Sequence, residues 1–443
     1  MSLSGLRMRL GGRLGMQIRP GGEFLRMIGS AVLSQALLSA GNLLVGLILI
    51  RRTVPEQYGY FVLVTTTLLL LSALQGAYIQ PSLVLCLAAK NLEERRDFVG
   101  GLVREQIRRL LALAGLTAGI LVVLRLLGLV SDAIVVLGFA GIAAALAALC
   151  REFFRMVLVA YRMPTAVLKV DIFYVALLGG GVFASTLTPM PALVATLTLA
   201  MAAATSGWLL SRRVRGHEGW NAHGAPGVLA KIAHIGGWAV AGSAIHWAFA
   251  QGYIYVVAGT LDLTAVATLS ATRLVMMPVN LMSSGVGSMT FPTVSRWLQH
   301  HSVKTVFFRL LLLASGIAGL GLIYLGIMWL LRDWIFTYVI KGHFDHRDTL
   351  LVFWSCICLL MAMRDQMFLP AARGKFQAMA WLTFVTAIVS LLTSFLCMRA
   401  FGVVGAVAGV LAGELFNLTG YLILCLLEVR RAATEVSPVR AAA

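Results

Sequence analysis

Three ionisable side chains stand inside long apolar runs of this 443-residue chain: His246, Arg273 and Glu414. An ionisable group in such a run is costly to bury, so each needs a reason to be there. Arginine is always charged, and its planar fork grips pyrophosphate oxygens two at a time, which makes Arg273 the first candidate for anion binding. The other reading is a buried ion pair between Arg273 and Glu414 that holds two helices together. Glu414 suits a proton or cation site, or else a structural role beside Arg273 or Asn417. His246, next to Trp247, is either a proton relay or a satisfied packing residue.

A second set of charges stands at the edges of apolar runs. Arg364 and Asp365 form one pair, and Arg151, Glu152 and Arg155 occupy the matching place earlier in the chain. They read as interfacial anchors or gate pairs, with capture of an anionic headgroup by Arg364 as the alternative. Lys169 and Asp171 read the same way. Gln35, Asn42, Gln75 and Gln80 are neutral hydrogen bonders in the first two runs, suited to lining a polar cavity or to joining helices.

The elements that must position these residues follow from composition. Hydrophobic residues make up 59% and charged residues 12% of the chain, about half the charged share of a soluble domain. Apolar runs of about 20 residues recur, long enough to cross a ~30 Å hydrocarbon core as helices. Twelve spans are predicted, at 27–50, 60–88, 110–130, 133–150, 165–187, 190–210, 236–259, 263–291, 306–331, 349–369, 376–398 and 402–427. The fold class is all-α integral membrane. His246, Arg273 and Glu414 then fall about 15–18 Å from the nearest span end, near the bilayer midplane.

The charge of +18 would suggest nucleic acid in a soluble chain, but here Lys and Arg collect in short loops. Twenty-seven of the 36 lie in the tails and every second loop, and seven in the opposite loops. That bias predicts both termini in the cytoplasm, with residues 1–26 as a basic tail ahead of an uncleaved first span. No nucleic-acid partner and no cofactor are expected. The six cysteines all fall in or beside apolar runs and read as small hydrophobes. No loop is large enough to be a catalytic domain, so a transporter is expected rather than an enzyme.

The chain also resembles itself. Thr53-Val54-Pro55-Glu56 precedes the second span as Thr260-Leu261-Asp262-Leu263 precedes the eighth. Pro81-Ser82-Leu83-Val84 matches Pro292-Thr293-Val294-Ser295, and Ala160-Tyr161-Arg162 matches Ala371-Ala372-Arg373. The expected organisation is two six-helix bundles, 27–210 and 236–427, joined by a cytoplasmic linker, 211–235, with a tail at 428–443. With six spans each, the bundles form a parallel pseudo-two-fold repeat able to rock about a central cavity.

Three stretches resemble the polysaccharide-export branch of the multidrug/oligosaccharidyl-lipid/polysaccharide exporter superfamily, the Wzx-like transporters. They are Glu56-Gln57-Tyr58-Gly59-Tyr60-Phe61-Val62-Leu63, Arg273-Leu274 with Pro278 and Phe291-Pro292-Thr293-Val294-Ser295-Arg296, and Ala371-Ala372-Arg373-Gly374-Lys375 with Phe401-Gly402-Val403-Val404-Gly405-Ala406. The chain departs from the family in reading Ala267-Thr268-Leu269 where a second Gly-x-Tyr is expected. It also lacks charged residues near the outer end of the seventh span. The resemblance implies a bacterial inner-membrane flippase for a polyprenyl-pyrophosphate-linked oligosaccharide. The lipid-linked glycan, membrane lipids, and a glycan polymerase and glycosyltransferases of one pathway would be its partners. On that reading Arg273, Arg364, Gln35, Asn42 and Gln75 meet the substrate, and Glu414 and His246 couple an ion. Two rivals stand beside it: a multidrug exporter of the same fold, and a polytopic glycan polymerase or ligase.

Overall fold

A computed structural model of the protein describes residues 22–340 and 346–441. Almost all of them are helical. In chain order the helices are α1 (Gly22–Arg52), α2 (Pro55–Ala89), α3 (Leu92–Leu126), α4 (Asp132–Ala160), α5 (Pro164–Ser185) and α6 (Pro191–His217). There follow α7 (Val228–Thr260), α8 (Leu263–Leu274), α9 (Met277–His300), α10 (Val303–Leu330), α11 (Arg347–Arg364) and α12 (Phe376–Ala441). Nine of these are long and apolar enough to cross a bilayer, and α8 with α9 makes a tenth pass, bent by 55°. Pro278 stands in the first turn of α9, where its missing N–H costs nothing, and it marks the bend. Helix α12 is two helices meeting at Gly402, whose φ of 54° and ψ of −132° suit a residue without a Cβ. The two limbs fall on the predicted eleventh and twelfth spans and the 33-residue α7 on the seventh. By length and apolarity the described residues hold nine such helices, or ten with the bent pair, against the twelve predicted.

Apolar side chains face outward along the passes, as lipid demands. On α10, Leu312, Leu320, Leu322, Ile323 and Leu330 are all exposed, a pattern that in water would mark an aggregation surface. The hydropathy bounds differ from the helices where polar residues continue a helix beyond its apolar run. Helix α3 starts 18 residues before the predicted span because Asn91 and Glu94 form a reciprocal capping box at its N-terminus. Helices α6 and α7 likewise extend into the predicted linker and leave 218–227 as its irregular part. That segment is bound to α3: the Glu105 carboxylate accepts the N–H groups of Gly227, Val228 (3.2 Å) and Leu229 (2.9 Å), capping α7.

Buried apolar residues divide the molecule by depth. Toward the arginine-poor loops a single cluster joins early and late helices: Leu49, Tyr58 and Phe61 meet Val257, Leu269, Phe336 and Trp354 in it. Toward the arginine-rich loops there are two separate clusters among the described residues. One holds Leu83, Leu102, Phe153 and Leu210, and the other Val294, Leu310, Met367 and Leu369. Among the described residues one cluster thus joins the helices at the arginine-poor end, while toward the arginine-rich end α7 packs with the early helices and the later helices form a cluster of their own.

The charge bias makes the orientation testable. A reporter fused after Lys375 is expected to read cytoplasmic, and one inserted near His343, which lies outside the described residues, periplasmic. The opposite pair of readings would overturn the orientation.

Candidate functional site

Five helices converge on a cavity of about 150 Å³ in the later half of the chain. Helix α7 brings His246 and Phe249, α8 brings Arg273, and α9 brings Asn280. The wall is completed by Trp354, Cys358 and Arg364 of α11, Asp365 beyond its end, and Glu414 of α12. The three ionisable residues that stood out in the apolar runs are therefore brought to one site, and Arg364 joins them.

The pairing differs from the expected one. Glu414, 2% exposed, is not bonded to Arg273. Arg364 Nη1 donates to both of its carboxylate oxygens at 3.0 Å. Arg364 also donates to Asp365 Oδ1 through Nε (3.3 Å) and Nη2 (2.9 Å). The physical reason lies in the end of α11. The helix stops at Arg364, and the chain turns within the protein, since Gln366, Met367 and Leu369 are buried as well. Hydropathy carries the apolar run on to 369 and so places Arg364 at the membrane edge, when it is enclosed.

Arg273 is left with neutral partners. Its Nη1 donates to Gln251 Oε1 (2.9 Å) and to the Tyr253 hydroxyl (3.0 Å). Its guanidinium carbon stands 5.5 Å from the Trp354 ring centroid and 6.0 Å from that of Tyr253, within the range of cation–π attraction. Among the described residues no carboxylate forms an ion pair with it. A half-buried arginine held by hydroxyl, amide and rings keeps its charge available to a ligand.

At 100° per residue Gln35, Asn42, Gly46 and Leu49 share one face of α1. Toward the arginine-poor end that face is closed, with Gly46 against Leu274 of α8 and Leu49 buried. Farther along the same face, Asn42 and Gln35 are exposed. Gln75 has another use: its amide donates to the Leu149 carbonyl of α4 (2.9 Å), the helix-joining role. His246 is an exposed residue of the cavity wall, which it shares with Arg364 and Asp365.

The edge charges of the early half form a network of their own. Asp171, fully buried, accepts from Arg151, from Ser34 and from Arg155 Nε (3.3 Å), while Arg155 Nη1 donates to Glu152 (3.2 Å). Arg151 also lies 3.9 Å from the centroid of Tyr174. Anchor residues of this kind are exposed, and these are not; only knowledge of which helices touch could have revealed the network.

No family model matches the chain, and no curated protein matches it in sequence. Solved structures do match its fold. One is described as the inward-facing conformation of a multidrug resistance MATE family transporter of the MOP superfamily. It is 15% identical over 91% of this chain and 98% of that one, with a TM-score of 0.70. The lipid II flippase MurJ in an inward closed conformation is 10% identical over 94% and 93%, with a TM-score of 0.72. An outward-facing MATE family transporter matches with a TM-score of 0.61, at 13% identity over 93% and 96%. The chain therefore has the fold of these membrane transporters.

Proposed function

We propose that this protein is a flippase of the multidrug/oligosaccharidyl-lipid/polysaccharide exporter superfamily, working in a bacterial inner membrane with both termini cytoplasmic. Its cargo on this reading is a polyprenyl-pyrophosphate-linked oligosaccharide, taken up at the arginine-rich face and released at the other. The observation that carries the substrate class is Arg273, a cation without a carboxylate ion pair among the described residues, in the wall of a cavity between helices. The remaining charges of that wall, Arg364 against Glu414 and Asp365, already answer one another. An organic cation would meet an arginine there, whereas a pyrophosphate would meet its complement. Asn42 and Gln35, exposed on α1, would offer amide groups to sugar hydroxyls, each of which costs a few kcal/mol to bury unpaired.

On this reading the single cluster toward the arginine-poor side and the separate clusters among the described residues of the other would belong to one state of an alternating-access cycle. Two bundles, residues 27–210 and 236–427, would rock so that one side opens as the other closes. Glu414, with His246 beside it, is the group through which an ion would bias that equilibrium, provided the ion binds the two states unequally. A glycan polymerase and glycosyltransferases acting on the same lipid-linked substrate would be the functional partners. The transporter itself would perform no bond chemistry.

The test is reconstitution. Proteoliposomes carrying a fluorescent polyprenyl-pyrophosphate glycan are expected to show protein-dependent movement of the headgroup between leaflets. Parallel vesicles loaded with an organic cation such as ethidium are expected to show no exchange. Cation exchange without headgroup movement would replace this reading with the multidrug exporter.

A further inference from the structure

We propose that Arg364 is a second anion-binding residue held in reserve by Glu414, so that a pyrophosphate in the cavity and a proton on Glu414 bind together. The inference rests on the reading of Arg273 as an anion site and adds to it a second residue and a coupling.

The geometry sets up the exchange. Arg273 and Arg364 reach the same cavity from different helices. Arg364 divides its donors: Nε and Nη2 serve Asp365, and Nη1 alone serves Glu414. A doubly charged headgroup entering beside Arg273 offers oxygens that compete for Nη1, in the forked geometry that arginine favours. If Nη1 turns to the headgroup, Arg364 still keeps Asp365. Glu414 does not keep a partner, because Arg364 is its ion-pair partner among the described residues. A carboxylate held out of water without a counter-charge is neutralised instead of staying ionised. The proton comes from solvent through the cavity and goes to a carboxylate oxygen of Glu414.

The other titratable or charged groups around this pair are few. His246 faces it from α7, Arg273 from α8, Cys358 from α11 and Asp365 from its end, and Tyr421 from α12 itself. Of these, His246 is the competing acceptor for a proton, so the test must separate it from Glu414.

Linkage makes the coupling reciprocal. If anion binding promotes protonation of Glu414, protonation promotes anion binding by the same factor. Glu414→Gln mimics the neutral acid, frees Nη1 and leaves Arg364 paired with Asp365.

The experiment uses the full-length protein in lipid nanodiscs, titrated calorimetrically with inorganic pyrophosphate in two buffers of different ionisation enthalpy. Wild type is expected to take up about one proton more per pyrophosphate than Glu414→Gln, and the variant to bind about tenfold tighter, within the usual 5- to 150-fold of such couplings. The double variant Arg364→Gln with Glu414→Gln is expected to lose that gain. His246→Gln is expected to keep the wild-type proton uptake. Equal uptake in wild type and Glu414→Gln, or a gain that survives loss of Arg364, would overturn the proposal. Arg273→Ala separates the two readings: if it leaves pyrophosphate binding intact, the anion site itself is wrongly placed, and the coupling falls with it.

Discussion

Replacing Arg273 with alanine is expected to abolish export of the glycan while leaving the amount of protein in the membrane unchanged. The structure removes the main reason to expect unfolding. Glu414 has Arg364 as its ion partner, so losing Arg273 strands no buried carboxylate. Gln251 and the Tyr253 hydroxyl each lose a donor, but both are neutral groups, so no buried charge is stranded. The effect should therefore fall on substrate. A hydrogen bond to a charged group contributes about 1.5–3 kcal/mol, so loss of a forked contact should weaken binding by at least about a hundredfold. Arg273→Lys keeps the charge but not the fork, and partial rescue is expected. Surface glycan measured beside an immunoblot of membranes decides the matter. Near-normal glycan from the alanine variant would remove Arg273 from the substrate site.

How much of this was legible in the sequence depends on whether depth or direction was asked for. Depth follows from hydropathy, and the passes appear where apolar runs place them. Hydropathy also singled out His246, Arg273 and Glu414, and the fold brings all three to one cavity because residues at a common depth in a helix bundle need only face inward to meet. Direction around each helix axis is another matter. Whether Arg273 or Arg364 answers Glu414 depends on how α8, α11 and α12 are rotated. That rotation is fixed by packing between residues about 50 to 140 positions apart, as when Trp354 Nε1 donates to the Thr272 hydroxyl at 3.2 Å. The same limit hid the Arg151–Asp171–Arg155 network. Where a helix stops inside the protein, as α11 does at Arg364, even depth is misread, because an apolar run continues through a break in the helix.

The local motif around Tyr58-Gly59 was visible as a pattern, but its purpose appears only across the two halves. A Cβ on Gly59 of α2 would stand 2.4 Å from the carbonyl oxygen of Leu263 and 3.1 Å from its Cβ. The contact is to backbone at the start of α8, where Asp262 caps the helix by accepting from the Ala265 N–H at 2.6 Å. A rigid, capped helix end cannot step aside as a side chain could, so the whole of α8 must move off α2. Gly59→Val is therefore expected to prise apart the packing at the arginine-poor end. Overpacking of this kind costs about 1–3 kcal/mol, a shift of about five- to 150-fold in the balance of closed and open states. Folding should survive, because the two clusters at the arginine-rich end do not involve this seam. Asn42→Cys, in a background without the six native cysteines, reports the change through labelling by a membrane-impermeant thiol reagent. Labelling from the arginine-poor side should rise, and glycan export should fall at least tenfold, since a transporter that cannot reseal one face cannot complete its cycle. Unchanged labelling together with unchanged export would mean that this seam is not the gate, and that the arginine-poor face opens along another pair of helices.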